Sequence, residues 1–178
     1  MSSSSTPYGA AARLLHWTMF ALITVQVVGG LAIEWFPRAS PARVFVLDWH
    51  VTLGIVALLL ALARIARRLV ERGRPTEGPR WQRALASAAH GALYALMVAV
   101  PLVGYALADA RGRGIPFFGM NAPEWLATDR ALAHTLEDLH SALAWALVAV
   151  VAAHAAAALW HHFVLRDDTL RRMLPGRA

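Results

Sequence analysis

Apolar positions fall into four long runs, at about residues 14–36, 47–69, 84–108 and 139–163, separated by short stretches rich in Arg, Gly and Pro. Each run meets the requirement of about 20 apolar residues for an α-helix that crosses a bilayer. The pattern predicts an all-α, integral membrane four-helix bundle forming one domain over residues 1–178. Residues 1–12 are small and polar and are read as a disordered tail. With so weak a charged start, the first run is read as a retained span rather than a cleaved signal peptide. Trp17 and Trp35 mark its two ends, as an aromatic belt would place them. Residues 38–46 and 70–82 are short connections, and Pro101 should kink the third helix. Residues 109–130 form the longest loop, broken by Gly112, Gly114, Pro116, Gly119 and Pro123, with a helix restarting near Thr128. There is no internal repeat.

Composition agrees with the pattern. At 58% hydrophobic and a mean hydropathy of +0.47 over 178 residues, the chain is too apolar for an ordinary soluble domain. The absence of cysteine excludes disulfides, thiolate zinc sites and iron–sulfur clusters. The net charge is +6, with seventeen arginines and no lysine. These arginines flank the apolar runs, so they point to anionic lipid headgroups and away from nucleic acid as a partner. Twelve of them, among them Arg13, Arg64, Arg67, Arg68 and Arg166, fall on the side shared by the N-terminus, the second connection and the C-terminus. Five, Arg38, Arg43, Arg111, Arg113 and Arg130, fall on the other. The positive-inside rule then places both termini in the cytoplasm.

Histidines within spans are costly in lipid and are candidates for function. His140 and His154 lie fourteen residues apart on the fourth run, on nearly one face and about 21 Å apart along the axis. His50 begins the second run at the outer level, and His16 lies at the cytoplasmic end of the first. Depth therefore proposes His50 with His140 outside and His16 with His154 inside. Two imidazoles facing each other at each of two depths is what a pair of bis-histidine b-type haems requires. The inner pair starts with a depth mismatch of about 10 Å, which tilt or a longer first helix would remove.

Small residues one turn from the ligands, Gly54, Ala144 and Ala158, leave room for a porphyrin. Close helix packing alone would also explain them. His90 lies at an inner level of the third run and competes with His16 or His154 as a ligand. His161 shares a face with His154 at the water boundary and, with His162, reads as interfacial. His134 reads as a surface residue. A zinc site is poorly supported, because the histidine spacings suit a large cofactor.

Several stretches together resemble the bacterial cytochrome b561 family, small four-span dihaem proteins, over nearly the whole length. They are RLLHW, DWHVTLGI, LARIARRL, AHGALYALMVAVPLVGYAL and HAAAALWHHF followed by DDTLRRM. The histidine plan is also similar to that of the cytochrome b subunits of membrane hydrogenases and formate dehydrogenases. The resemblance implies two haem b groups ligated through iron by His16, His50, His140 and His154, in a multi-pass protein of the bacterial inner membrane. It further implies single-electron transfer between an outer donor and ubiquinone. Superoxide is the donor suggested for some members, which makes a superoxide oxidase-like oxidoreductase the leading expectation. The alternative is an anchoring and electron-transfer subunit for a separate redox partner protein. Catalytic residues are not assigned; His90, Arg64 and His161 are candidates for the quinone vicinity. A basic outer funnel would attract superoxide, yet along the sequence the outer loops carry more acids than arginines, so only folding could gather the arginines apart.

Overall fold

The computed structural model describes residues 9–70 and 79–174. Most of the N-terminal tail, Arg72 and Arg74 of the second connection, and Arg177 lie outside the described residues. Four helices are long and apolar enough to cross a membrane: α1, Ala10–Ile33; α2, Pro41–Val70; α3, Arg80–Ala110; and α4, Arg130–Trp160. Each extends beyond its apolar run at one end or both. α4 runs on through a π-helical turn, His161–Leu165, and a 3-10 turn, Arg171–Met173, follows. The chain is an all-α membrane four-helix bundle.

Its surface is that of a protein solvated by lipid. Few side chains are buried, and Val25, Val28, Leu59, Leu62, Leu102 and Leu159 face outward; a water-soluble monomer rarely exposes so much contiguous apolar area. The inner core is the cluster of Met19, Ala61, Met97 and Leu147, packed by Ile23, Leu60, Leu93 and Tyr94. A second cluster of Leu107, Ala110 and Ala133 closes the outer end. Close backbone packing joins α1 to α2, α2 to α3 and α3 to α4. α4 meets α1 and α2 through imidazole rings and through the cluster that joins Leu147 to Met19 and Ala61.

Helix ends are finished by side chains that meet orphan backbone groups. Asp129 accepts from the Ala131 and Leu132 amides at the start of α4. Arg43 donates to the Ile33 and Phe36 carbonyls past the end of α1 while pairing with Glu34 at 2.9 Å. Pro101 lies inside α3, where its missing N–H breaks the helical ladder.

The long outer loop carries structure that the breaker residues alone did not predict. A two-stranded antiparallel hairpin pairs β1, Pro116–Phe117, with β2, Met120–Asn121. Asp109, only 2% exposed, accepts from the Trp125 and Leu126 amides at 2.8 and 3.0 Å. Tyr105 stacks on Trp125 and donates to the Pro123 carbonyl. Gly112 has φ of 63°, and a Cβ there would stand 2.0 Å from Thr128 Oγ1, so both conformation and space demand glycine. The loop is thereby laid across the outer end of the bundle.

Candidate functional site

The outer pair sits where α2 and α4 face each other. The His50 and His140 ring centroids are 6.1 Å apart. His140 Nδ1–H donates to the Val100 carbonyl at 3.0 Å, one residue before Pro101. That bond fixes the tautomer and leaves Nε2 as the lone-pair nitrogen. Gly104 lies flush against the ring: a Cβ there would come 2.8 Å from His140 Cε1. Across the space, Gly30 of α1 opposes His50, where a Cβ would meet Cε1 at 3.2 Å. His50 Nδ1 is buried with no hydrogen-bond partner. Gln26 donates to the His50 carbonyl at 3.0 Å and steadies this turn of α2.

Around the outer pair lies a cavity of about 1030 Å³, whose lining includes Gly30, Gly54, Gly104, Ala144, His50 and His140. Arg38, Arg43, Arg111 and Arg113 line it too. Arg111, Arg113 and Glu137 also line a neighbouring surface cleft of about 400 Å³ that holds Arg130 and His134. Glu34, Asp48 and Glu137 line the cavity as well, with Glu34 paired to Arg43 and Glu137 to Arg111 at 2.9 Å, while Asp109 is buried against backbone amides. Folding thus gathers arginines into the cleft with one carboxylate among them. His134 is exposed and pairs with Asp138, as its surface reading required.

The inner end holds three imidazoles. His16 of α1 and His154 of α4 are 6.3 Å apart by ring centroid, and His90 of α3 is 5.5 Å from His154. Among the described residues, no group of three or more His, Asp or Glu side chains is arranged to hold a bare metal ion. Arg64 Nη2 lies 3.1 Å from His16 Nδ1. A guanidinium only donates, so His16 Nδ1 accepts and its proton sits on Nε2, the tautomer opposite to that of His140. Arg64 and Arg68 also lie over the Tyr94 ring, at 6.0 and 5.7 Å.

Below this level the C-terminal segment turns back onto α1. Trp17 Nε1 donates to the Met173 carbonyl at 2.8 Å, and Arg13 to that of Leu174 at 3.1 Å. His161 Nδ1 donates to Asp167, which also receives the Thr169 amide. Partial desolvation raises the Asp167 carboxyl, but hydrogen bonds from His161 and Thr169 outweigh it and hold the group below the usual carboxylate range. His162 Nδ1 is buried without a partner.

A family model described as prokaryotic cytochrome b561 matches residues 7–176. The chain belongs to the prokaryotic cytochrome b561 family. Cytochrome b561 homolog 1 of Escherichia coli (strain K12) is 30% identical over 167 residues, covering 92% of this chain and 94% of its own. Cytochrome b561 homolog 2 of the same organism is 33% identical over 189 residues, with 98% and 95% coverage. A protein of Yersinia pestis named probable superoxide oxidase CybB is 32% identical over 171 residues, with 92% and 93% coverage.

As a cytochrome b561, the chain is a haem b-binding electron-transfer protein and a multi-pass protein of the bacterial inner membrane. The outer site suits such a group on its own geometry. Gly30 and Gly104 admit the two rings at close approach, one imidazole has a tautomer fixed for ligation, and the facing imidazole has a buried nitrogen without a partner. The rings of His50 and His140 and of His16 and His154 face each other as depth proposes, whereas Gly104, Gly30 and the Val100 carbonyl are not singled out by the sequence. Glycine inside an apolar run signals close approach, but which partner approaches is a tertiary matter.

Proposed function

We propose that this cytochrome carries single electrons between superoxide on the outer side and ubiquinone, through two haem b groups. One would be held by His50 and His140, the other by His16 and His154, with both termini in the cytoplasm. The observation that carries the reading is the repetition of one imidazole spacing, 6.1 and 6.3 Å, at two levels of α4. Two metal–imidazole bonds of about 2 Å each put the ring centroids about 6 Å apart. When bound, the haems supply one-electron centres at both depths.

The chain's own residues prepare each end. The arginine cleft beside the outer cavity attracts a small anion and raises its local concentration. Two superoxide anions would each give up one electron and leave as dioxygen. Ubiquinone would take both electrons and two protons to become ubiquinol. His90, Arg64 and His161 are the residues proposed for the quinone vicinity. His161 donates its Nδ1–H to Asp167 and so presents Nε2 as its acceptor nitrogen. Ligation by His16 through Nε2 requires that this nitrogen lose its proton, so the Arg64 contact must slacken or pivot as the inner site fills.

The test is a reduced-minus-oxidised spectrum of the purified protein with haem counted per chain. Two low-spin haems are expected, and His50→Ala and His154→Ala should each remove about one. Superoxide-driven reduction of ubiquinone by the protein alone supports the donor assignment. Constant copurification with a soluble redox subunit, together with no superoxide activity, would replace it with the anchoring role.

A further inference from the structure

The outer loop contains an apolar projection that neither haem ligation nor anion attraction uses. From Ile115 to Ala122 the chain reads IPFFGMNA, with no charged residue, in a segment that connects two spans. Its tip is a two-residue turn in which Phe118 has φ of 48° and Gly119 φ of 82°. Hairpin turns with two positive φ values favour Asn-Gly, because Asn tolerates the left-handed region and a bulky side chain does not. Here an aromatic residue occupies the strained position and is 59% exposed; Met120 beside it is 68% exposed. Phe118 packs edge-on against Phe117 at 5.0 Å, yet backbone strain and apolar exposure still coincide at this one residue, a combination that points to function.

That function is suggested by what else the ring touches. Phe118 meets Trp49 edge-on at 6.3 Å, and Trp49 meets Phe45 at 6.3 Å. Phe45 and Trp49 are one turn apart on α2, and both are exposed. They belong to the first turns of a membrane-crossing helix, the level at which aromatic residues concentrate between water and hydrocarbon. The projection continues this lipid-facing surface. Its strand pair, and the Ala122 amide bonded to the Ile115 carbonyl, satisfy backbone groups internally, which apolar surroundings require.

We propose that the Phe118–Met120 tip inserts into the interfacial region of the outer leaflet and anchors the outer loop to lipid. Thr52 Oγ1 donates to the Pro116 carbonyl at 3.0 Å, and Gly114 and Pro116 line the outer cavity. The anchor therefore steadies one wall of that cavity. The proposal stands whether or not that cavity takes a haem.

The chain lacks cysteine, so single labels can be placed without other changes. Phe118→Cys and, separately, Met120→Cys would carry an environment-sensitive fluorophore in nanodiscs of phosphatidylcholine and phosphatidylglycerol. Leu102→Cys serves as a lipid-exposed reference, and Glu124→Cys as a loop reference. Quenching by a lipid-borne nitroxide near the headgroup should approach that of the Leu102 label. Iodide should quench the tip several-fold less than it quenches the Glu124 label. Iodide access equal to that at Glu124, without lipid quenching, would overturn the proposal, whether the tip then lay in water or awaited a protein partner. Adding Phe118→Asn to the Met120→Cys protein relieves backbone strain while removing the ring. The label should then move towards iodide; a label that stays in lipid would show that Phe118 is not the anchor.

Discussion

Replacing Gly104 by alanine separates helix stability from cofactor geometry. Alanine in a helix interior is favoured over glycine by about 0.8–1 kcal/mol, so on propensity alone the variant should be more stable. The new methyl, however, would stand 2.8 Å from His140 Cε1 and 3.0 Å from Nδ1. The ring must withdraw by roughly half an ångström or more to regain van der Waals separation. It cannot withdraw freely, because Nδ1 is tied to the Val100 carbonyl on the same helix as Gly104. Forced overpacking of this kind costs about 1–3 kcal/mol. In the filled outer site that cost falls on the ligand, and at 1.4 kcal/mol per tenfold it weakens haem retention by roughly 5- to 140-fold. Transfer of haem to excess apomyoglobin should show one of two phases accelerated by that factor. Gly91→Ala is the matched control: it lies in the same helix, and a Cβ there meets nothing within 4 Å. It should gain the propensity term and leave both phases unchanged. If Gly104→Ala retained both haems as the parent does, with the same spectrum, His140 would not be an iron ligand held against this glycine.

Other perturbations test the remaining parts of the site. Arg64→Gln removes a cation bonded to His16; loss of positive charge favours the oxidised centre, so potentiometry should find the inner midpoint lowered by something on the order of tens of millivolts. Reversing charge in the cleft with Arg113→Glu and Arg130→Glu should slow superoxide uptake about tenfold or more at low ionic strength, and the difference should collapse in high salt; an unchanged rate would detach the cleft from donor attraction. Asp167 is held below the usual carboxylate range by its hydrogen bonds from His161 and Thr169 despite partial desolvation. Its contribution to docking the C-terminal segment is therefore complete above the unfolded value of about 3.9 and is lost as pH falls through the lower folded value. Hydrogen exchange over residues 167–174 should accelerate in Asp167→Asn at neutral pH, and in the parent only in acid.

The bundle was legible because a bilayer imposes a one-dimensional rule. Runs of apolar residues long enough to cross hydrocarbon must satisfy their own backbone groups, and helices do so. Helical rise and periodicity then fixed the two levels of His140 and His154 on one face of α4, and depth nominated His50 and His16 opposite them. Local patterns do not specify how each helix is rotated about its axis or which faces meet. Depth put His90 at the inner level as a competitor of His16 and His154, but only the packing of α3 against α4 brought its ring to within 5.5 Å of His154. The mismatch expected between His16 and His154 is absent, because α1 starts ahead of its apolar run and the C-terminal segment folds back over its first turns. The tautomers of His140 and His16 are set by a carbonyl and a guanidinium remote in sequence. Gly104 shows its purpose only beside the ring it admits. The outer arginines, outnumbered by acids along the chain, form a basic cleft because folding brings Arg111, Arg113 and Arg130 together with Glu137 as the cleft's one carboxylate. Composition sums charge over a segment, whereas an approaching ion feels the charges gathered within a Debye length of it, and that grouping is decided by tertiary structure.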